Sequence, residues 1–202
     1  MNKFSFQIEV QSQRQTAKLE FATKQQLERY HRSFPSAGNP ASPAARDAVE
    51  FTRLAAERWR YYSDAGEAAE SFQTLKEAIV HNEHCEVAFI LIATTRRGDR
   101  ELPVGLAYVR RTWCHHLALD FLALHPKALD QRENVAGLGS GIVYSLVRLA
   151  KSLHIQCIWG EATAHSAAFY ERLLAKTPIL DLFVIESQEM KAIQDRQQKI
   201  GH

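Results

Sequence analysis

The chain has 202 residues, of which 46% are hydrophobic and 24% charged, and its formal net charge is +2. These values are typical of a soluble globular protein and fit one domain, or one domain with an appendage. The sequence has no block of Lys and Arg, no apolar run of the roughly 18 residues that a membrane span needs, and no apolar segment at its N-terminus. We therefore expect no nucleic-acid partner, no membrane partner and no secretion signal.

The N-terminal part of the chain predicts two strands followed by helices. Apolar and polar residues alternate over 4–10, and residues 18–23 are a candidate hairpin partner. Residues 33–45, rich in Pro, Ser, Gly and Asn, predict a loop. Apolar residues at helical spacing, in segments mostly rich in helix-favouring residues, predict three helices at 24–34, 43–62 and 65–82.

The hydrophobic period changes at residue 86. β-Branched and aromatic runs predict successive strands at 86–95, 103–112 and 116–126. The pattern then alternates between helix and strand, with helices at 142–153 and 164–176 and strands at 155–162 and 179–187. This order predicts an α/β fold, an α+β arrangement of helices around one mixed sheet.

We expect a single domain over residues 1–202. Residues 1–85 form its strand and helical N-terminal region, 86–185 form the sheet with a glycine-rich loop and helices, and 186–202 form a C-terminal tail.

The cysteines and histidines predict neither disulfides nor a metal site. Cys85, Cys114 and Cys157 are widely spaced and form no Cys-x-x-Cys pair, which is typical of reduced thiols in a cytoplasmic protein. The His-containing segments 81–86 and 112–116 lack the ligand spacing of known zinc sites, so we expect no metal.

Three glycines, Gly137, Gly139 and Gly141, stand immediately before an apolar-periodic helix. Glycine allows tight turns and close approach of a ligand, and the start of a helix offers unpaired N–H groups to an anion. The spacing therefore predicts a phosphate site, although a tight turn onto the helix is the alternative.

Two well-known phosphate loops fit these residues poorly. A P-loop needs a lysine directly after the glycines, and the first one is Lys151. A dinucleotide-binding loop that began at Gly137 would need glycine at Ile142, although Glu161 would suit a ribose hydroxyl.

The segment 103–185 resembles the GNAT superfamily of N-acetyltransferases. The similarity lies in the order of a strand "LDFLALHP", a polar connection, the glycine-rich loop, a long helix, a strand and a short helix containing "AAFYERL". The resemblance implies a GNAT fold and an acyl-CoA-dependent N-acyltransferase, with acetyl-CoA (coenzyme A) as the default co-substrate and direct attack by a primary amine. It also places the amine acceptor against residues 1–85.

The resemblance implies a set of residues that bind coenzyme A. The family loop reads Gln/Arg-x-x-Gly-x-Gly/Ala, which puts Gly139 and Gly141 at its glycines and Ala136 at its Gln or Arg, with Arg132 as a nearby substitute. The implied set comprises the loop residues Arg132, Ala136, Gly137, Leu138, Gly139, Ser140 and Gly141, the pantetheine strand residues Leu122, Ala123 and Leu124, and the short-helix residues Thr163 and Ser166.

The resemblance also implies catalytic residues. Tyr170 matches the family's general acid, since a phenol is protonated at neutral pH and can protonate the departing thiolate. Asp120, in an otherwise apolar strand, is the general base, a partnered buried carboxylate or an exposed edge residue. Glu161 is the second candidate base, and ordered water is an alternative to both. His125 either lines the site or ends the strand.

Two groups of residues are candidates for the acceptor side. An aromatic cluster could floor its site, although helical spacing is more typical of core: Phe51, Trp59, Tyr61, Tyr62 and Phe72. Asp64, Glu67 and Glu70 could attract a cationic amine or form a solvated helix face. A GNAT-like module that binds coenzyme A without catalysis is the competing hypothesis, motivated by Ala136 and Thr163, and a homodimer is left open.

Overall fold

The computed structural model of the protein describes residues 3–33, 42–129 and 135–200. Its centre is one eight-stranded mixed sheet, so the predicted mixed α/β fold class is confirmed. The strands are β1 (Lys3–Val10), β2 (Gln13–Phe21), β3 (Val87–Arg97), β4 (Arg100–Arg111), β5 (Leu117–Leu124), β6 (Val135–Ala136), β7 (Ile158–Glu161) and β8 (Leu182–Ile185). The helices are α1 (Lys24–Ser33), α2 (Pro43–Asp64), α3 (Phe72–His81), α4 (Leu138–Ser152), α5 (Ala167–Leu174) and α6 (Ser187–Ile200), with a short 3-10 turn at Pro126–Leu129.

The strand order across the sheet is β6-β1-β2-β3-β4-β5-β7-β8. Strands β1 to β5 form an antiparallel meander, and the two-residue β6 pairs antiparallel with β1. Strand β7 then pairs parallel with β5, because α4 provides the crossover that a parallel connection needs.

Helices cover both faces of the sheet and create two hydrophobic cores. The larger core includes buried residues of α4, α5 and α6, such as Leu146, Leu174 and Ile193. The second core lies on the α1–α2 face and includes Tyr30 and Trp59. Central strand β3 is a continuous apolar run because both of its faces are covered.

The predicted C-terminal tail at 186–202 is wrong over most of its length, because residues 187–200 form α6. Met190 and Ile193 of this helix are buried in the larger core. Residues 201–202 lie outside the described part of the chain.

The predicted loop at 33–45 also differs from the structure at both of its ends. Ser33 ends α1, and residues 34–41 lie outside the described part. Ser42 caps α2, since its side chain accepts a hydrogen bond from the Ala45 N–H, and Pro43 occupies the first helical position, where its missing N–H costs nothing. None of the helices in the described ranges is long and apolar enough to cross a membrane.

Candidate functional site

Strands β5 and β7 separate soon after they meet. Their parallel pairing covers Leu117 with Ile158 and Ala118 with Trp159, after which β5 continues to Leu124 without a partner on that side among the described strands. The backbone N–H and C=O groups along this part of β5 form an open edge that an extended ligand can pair with.

Two local features shape β5 where the strands separate. Asp120 is an extra residue in the pairing with β4, because Leu119 pairs with Val109 and Phe121 with Tyr108. Such a β-bulge redirects a side chain and interrupts regular pairing. Gly160 of β7 lies so close that an added Cβ would be 2.4 Å from the Leu119 carbonyl oxygen.

The first turn of α4 points its N-terminus into the same region. Gly137 is the N-cap residue, with a φ of 82°, in the left-handed region that glycine adopts easily. The N–H groups of Leu138, Gly139 and Ser140 open the helix, and helix geometry gives them no carbonyl partner within it. They carry the positive end of the helix dipole, which favours an anion.

Each of the three positions favours glycine for a different structural reason. Gly137 supplies the left-handed backbone, and Gly139 gives room for the Phe169 ring, 3.2 Å from where its Cβ would be. Gly141 is a packing glycine, because a Cβ there would be 2.0 Å from the Phe6 ring.

Two residues of the predicted coenzyme A set, Gly141 and Ala136, do not line the cavity that lies between β5 and the start of α4. The Gly141 N–H donates to the Gly137 carbonyl within the helix, at 2.9 Å. Ala136 pairs with Glu9 in β6. Arg132 lies outside the described residues.

A cavity of about 730 Å³ joins the open edge of β5 to the start of α4. Its volume is in the range of small-ligand sites. The sequence-predicted residues that line it are Asp120, Leu122, Ala123, Leu124, Gly137, Leu138, Gly139, Ser140, Glu161, Thr163, Ser166 and Tyr170. Phe51, from the predicted aromatic cluster, also lines it. Sequence pattern did not predict the other lining residues used below, which are Gln7, Asp47, Ala48, Phe121, Arg172, Arg196 and Gln197.

The cavity receives side chains from both faces of the sheet. Asp47 and Phe51 come from α2, which packs on the second core, whereas Tyr170 and Arg196 come from α5 and α6 on the opposite face. Both groups reach one cavity because the strands are separated between them.

Tyr170 lines the cavity with a nearly buried ring. Its side chain is stacked on Phe183 of β8, with ring centroids 3.8 Å apart and planes within 15°. Burial raises the pKa of the phenol above its ordinary value, so Tyr170 is protonated at neutral pH.

Asp120 is held by arginines at the cavity wall. Both of its carboxylate oxygens accept hydrogen bonds from Arg110, at 2.5 and 3.0 Å, and Arg58 approaches to 3.6 Å. The side chain is 11% exposed, and Arg110 also pairs with Glu86. This geometry is that of the partnered carboxylate, the alternative to a general base.

Of the remaining predicted residues, Glu161, Thr163 and Ser166 line the cavity and His125 does not. Glu161 is exposed at the end of β7 and lines the cavity. Thr163 and Ser166 shape the turn before α5, since the Thr163 N–H donates to Ser166 Oγ at 2.9 Å and the Ser166 N–H donates to the Thr163 carbonyl at 2.9 Å. His125 does not line the cavity, because it is buried with its ring edge-on to Tyr30.

The two ends of the cavity carry opposite charge. On the α4–α6 side, Arg172 and Arg196 make no ion pair within the described residues, and Arg196 donates to the backbone carbonyls of Ala192 and Arg172. On the α2 side, Asp47 makes no ion pair or hydrogen bond through its side chain within the same ranges. A polyanion therefore fits the first side and a cation the second.

The predicted aromatic cluster is divided between the cavity and the rest of the molecule. Phe51 lines the cavity, whereas Trp59 is buried in the second core and Tyr61 is exposed. No group of His, Cys, Asp and Glu suited to a metal occurs in the ranges that the structure covers.

Comparisons with known proteins give one distant structural likeness and two negative results. No protein-family model matches the chain, and no curated protein matches it. Among solved structures, the chain is similar to a protein of the GNAT family from Desulfovibrio desulfuricans, itself only proposed to be an acetyltransferase. The two share 15% identity, and the match covers 84% of this chain and 98% of that one with a TM-score of 0.48. This likeness is too distant to assign a family or an activity.

Proposed function

We propose that the protein is an N-acyltransferase that moves an acyl group, acetyl by default, from coenzyme A to a primary amine. One observation carries the proposal: the open edge of β5 and the N-terminus of α4 lie in a single cavity. An open strand edge suits the amides of pantetheine, and a helix N-terminus suits its pyrophosphate.

The phosphate end of the ligand would be held by backbone and by two arginines. Leu138, Gly139 and Ser140 offer N–H groups, and Arg172 and Arg196 supply the positive charge that Ala136 cannot. Arginine suits phosphate because its planar guanidinium donates several hydrogen bonds.

The chemistry needs few parts at the β5 end of the cavity. A neutral amine attacks the thioester carbonyl, a backbone N–H of β5 stabilises the developing oxyanion, and the C–S bond breaks. Tyr170 protonates the departing thiolate and regains its proton from solvent. The proton that the amine loses goes to Glu161 or to water, because Asp120 is occupied by Arg110.

The occupied state of Asp120 also favours a second candidate, a module that binds coenzyme A without catalysis. Both candidates use the same phosphate end, and they differ in whether thiol is released when an amine is supplied. In either case we propose a single cytoplasmic domain with α2 on the acceptor side, in accord with the unpaired Cys85, Cys114 and Cys157.

Calorimetric titration of acetyl-CoA, with coenzyme A and NADH as comparison ligands, tests the proposal. We expect micromolar binding of acetyl-CoA and coenzyme A, and Gly139→Val should weaken it about tenfold or more, because a branched side chain would crowd the N–H groups beside Phe169. Ser152→Val, at the far end of α4, is the matched control.

Three results would separate the alternatives. Failure of the folded protein to bind acetyl-CoA would overturn both the enzyme and the module. Binding of NADH alone would favour a dinucleotide enzyme. Binding of acetyl-CoA without thiol release, over a broad set of amines, would favour the module.

A further inference from the structure

We infer that the acceptor is a small monoamine, positively charged in solution, with an apolar or aromatic body, and that it binds between α2 and β5. This inference rests on the proposed acyl transfer. Asp47 receives the ammonium group, and Phe51 and Phe121 receive the body.

Asp47 is the carboxylate of the α2 side that has no cationic partner in the described chain. It is half-buried and lines the cavity. The charged groups around Asp120 neutralise one another, because Arg110 and Arg58 pair with Asp120 and Arg110 also pairs with Glu86. A partly buried carboxylate without a partner is costly, and an ammonium ion would remove that cost.

The wall next to Asp47 is aromatic. Phe51 follows Asp47 by one helical turn and therefore lies on the same face of α2. Its ring centroid is 5.5 Å from that of Phe121 on β5, with planes tilted by 30°. Ala48, between Asp47 and Phe51 in sequence, also lines the cavity, and the Arg58 guanidinium lies 5.0 Å from the centroid of the Phe121 ring. A second apolar ring or an alkyl chain fits against this pair.

The wall also limits the charge of the acceptor. A polyamine would place further ammonium groups against the Phe51 and Phe121 rings, where the Arg58 guanidinium already lies over Phe121 and would repel them. An amino acid would bring its own carboxylate towards Asp47. Both cases bring like charges together, which selects against them.

The donor and the acceptor would meet from opposite faces of the sheet. The polyanionic donor binds on the side of Arg172 and Arg196, and the cationic acceptor on the side of Asp47. The ammonium group loses one proton to water or to Glu161 before its nitrogen attacks, so Asp47 is a binding residue and takes no part in bond making.

Calorimetry with 2-phenylethylamine tests the inference without relying on turnover. We would titrate it into the free protein and into the protein saturated with coenzyme A, beside 2-phenylethanol, ethylamine and spermidine. Asp47→Asn and Phe51→Ala alter the two halves of the site. Glu50→Gln makes the same charge change on α2, at an exposed residue paired with Arg53, and is the matched control.

We expect 2-phenylethylamine to bind at least about tenfold more tightly than its alcohol, than ethylamine and than spermidine. Asp47→Asn should cost about tenfold or more, since a hydrogen bond to a charged group is lost, while Glu50→Gln changes the affinity less than about twofold. Equal binding of the alcohol would overturn the role of charge, and equal binding of ethylamine would overturn the apolar body. Tighter spermidine binding, or no amine binding, would overturn the inference. Amine binding without acetyl-CoA binding would support the amine site and refute the acyltransferase.

Discussion

Tyr170 is positioned by aromatic stacking, since its ring lies flat on Phe183. Loss of the hydroxyl leaves that stacking intact, so the acid role can be separated from the packing role. We expect Tyr170→Phe to lower kcat for acyl transfer by about 10²-fold, the lower end of what a general acid contributes, with little change in the Kd of acetyl-CoA. Steady-state kinetics and calorimetry on the same sample check this, and equal losses in kcat and binding would contradict it.

Asp120 differs from Tyr170, because its hydrogen bonds and ion pairs are those of a residue that stabilises the fold. Asp120→Asn removes the charge that Arg110 and Arg58 share, so we expect it to lower the free energy of unfolding by about 1–2 kcal/mol. Urea unfolding measures this, with Glu57→Gln as the exposed control, since Glu57 also pairs with an arginine. Unchanged stability with a large fall in kcat would instead identify Asp120 as the base.

The spacing of the three glycines predicts the turn before α4 but not which of them face the cavity. Gly137 and Gly139, at the start of a helix, line the cavity, and their part in a phosphate site stays a prediction. Gly141 has the same spacing but serves packing against Phe6, which precedes it in the chain by a long, unrelated stretch. Sequence spacing identifies a glycine-rich turn, and a ring distant in sequence decides which glycine faces the cavity.

At the scale of elements, strongly periodic segments were predictable and weakly periodic ones were not. Helix α4 was correctly predicted, because its apolar residues Ile142, Leu146 and Leu149 repeat at helical spacing and all are buried. Helix α6 was missed, because Met190 and Ile193 are its main apolar residues in a polar segment. The separation of β5 from β7 has no periodic signal in the sequence, since its local causes are a bulge at Asp120 and a close contact at Gly160.

The missed helix α6 matters because it brings Arg196 to the cavity beside Arg172 of α5. We expect the double variant Arg172→Gln/Arg196→Gln to raise the Kd of coenzyme A about tenfold, since two phosphate contacts are lost. The Kd of pantetheine, which lacks phosphate, should not change.

The charge-matched control for this prediction is Arg148→Gln, because Arg148 lies over the Phe4 and Tyr144 rings and does not line the cavity. Calorimetry at two salt concentrations should also show a weaker salt dependence for the double variant. An equal loss for pantetheine would mean that the arginines support the fold and do not bind phosphate.

At the scale of the whole molecule, one histidine connects the sheet to α4. His115 Nδ1 accepts from Arg111 Nη2 at 2.7 Å, and Nε2 donates to the Leu153 carbonyl at 3.1 Å. Burial lowers the pKa of His115, and the charges of Arg111, His116 and His154 lower it further, while the Leu153 carbonyl acts in the opposite direction.

The folded protein binds the His115 proton less readily than the unfolded chain does. We therefore expect the free energy of unfolding to have its full value above the ordinary histidine pKa of about 6.5 and to fall as the pH drops below it. We expect His115→Asn, which tolerates the local φ of 60°, to reduce that fall. Thermal unfolding between about pH 5 and 8 measures it, with the exposed His84→Asn as control. An identical pH dependence in wild type and His115→Asn would contradict the prediction.

The contact of Gly141 with Phe6, and the pairing of β6 with β1, connect the start of α4 to the first strand of the protein. Gln7 and Gln197 line the same cavity, so its walls come from nearly both ends of the described chain. A ligand held there contacts residues of β1 and residues of α6, which the ribosome adds far apart in time. A polypeptide growing on the ribosome could therefore retain it only after α6 had emerged.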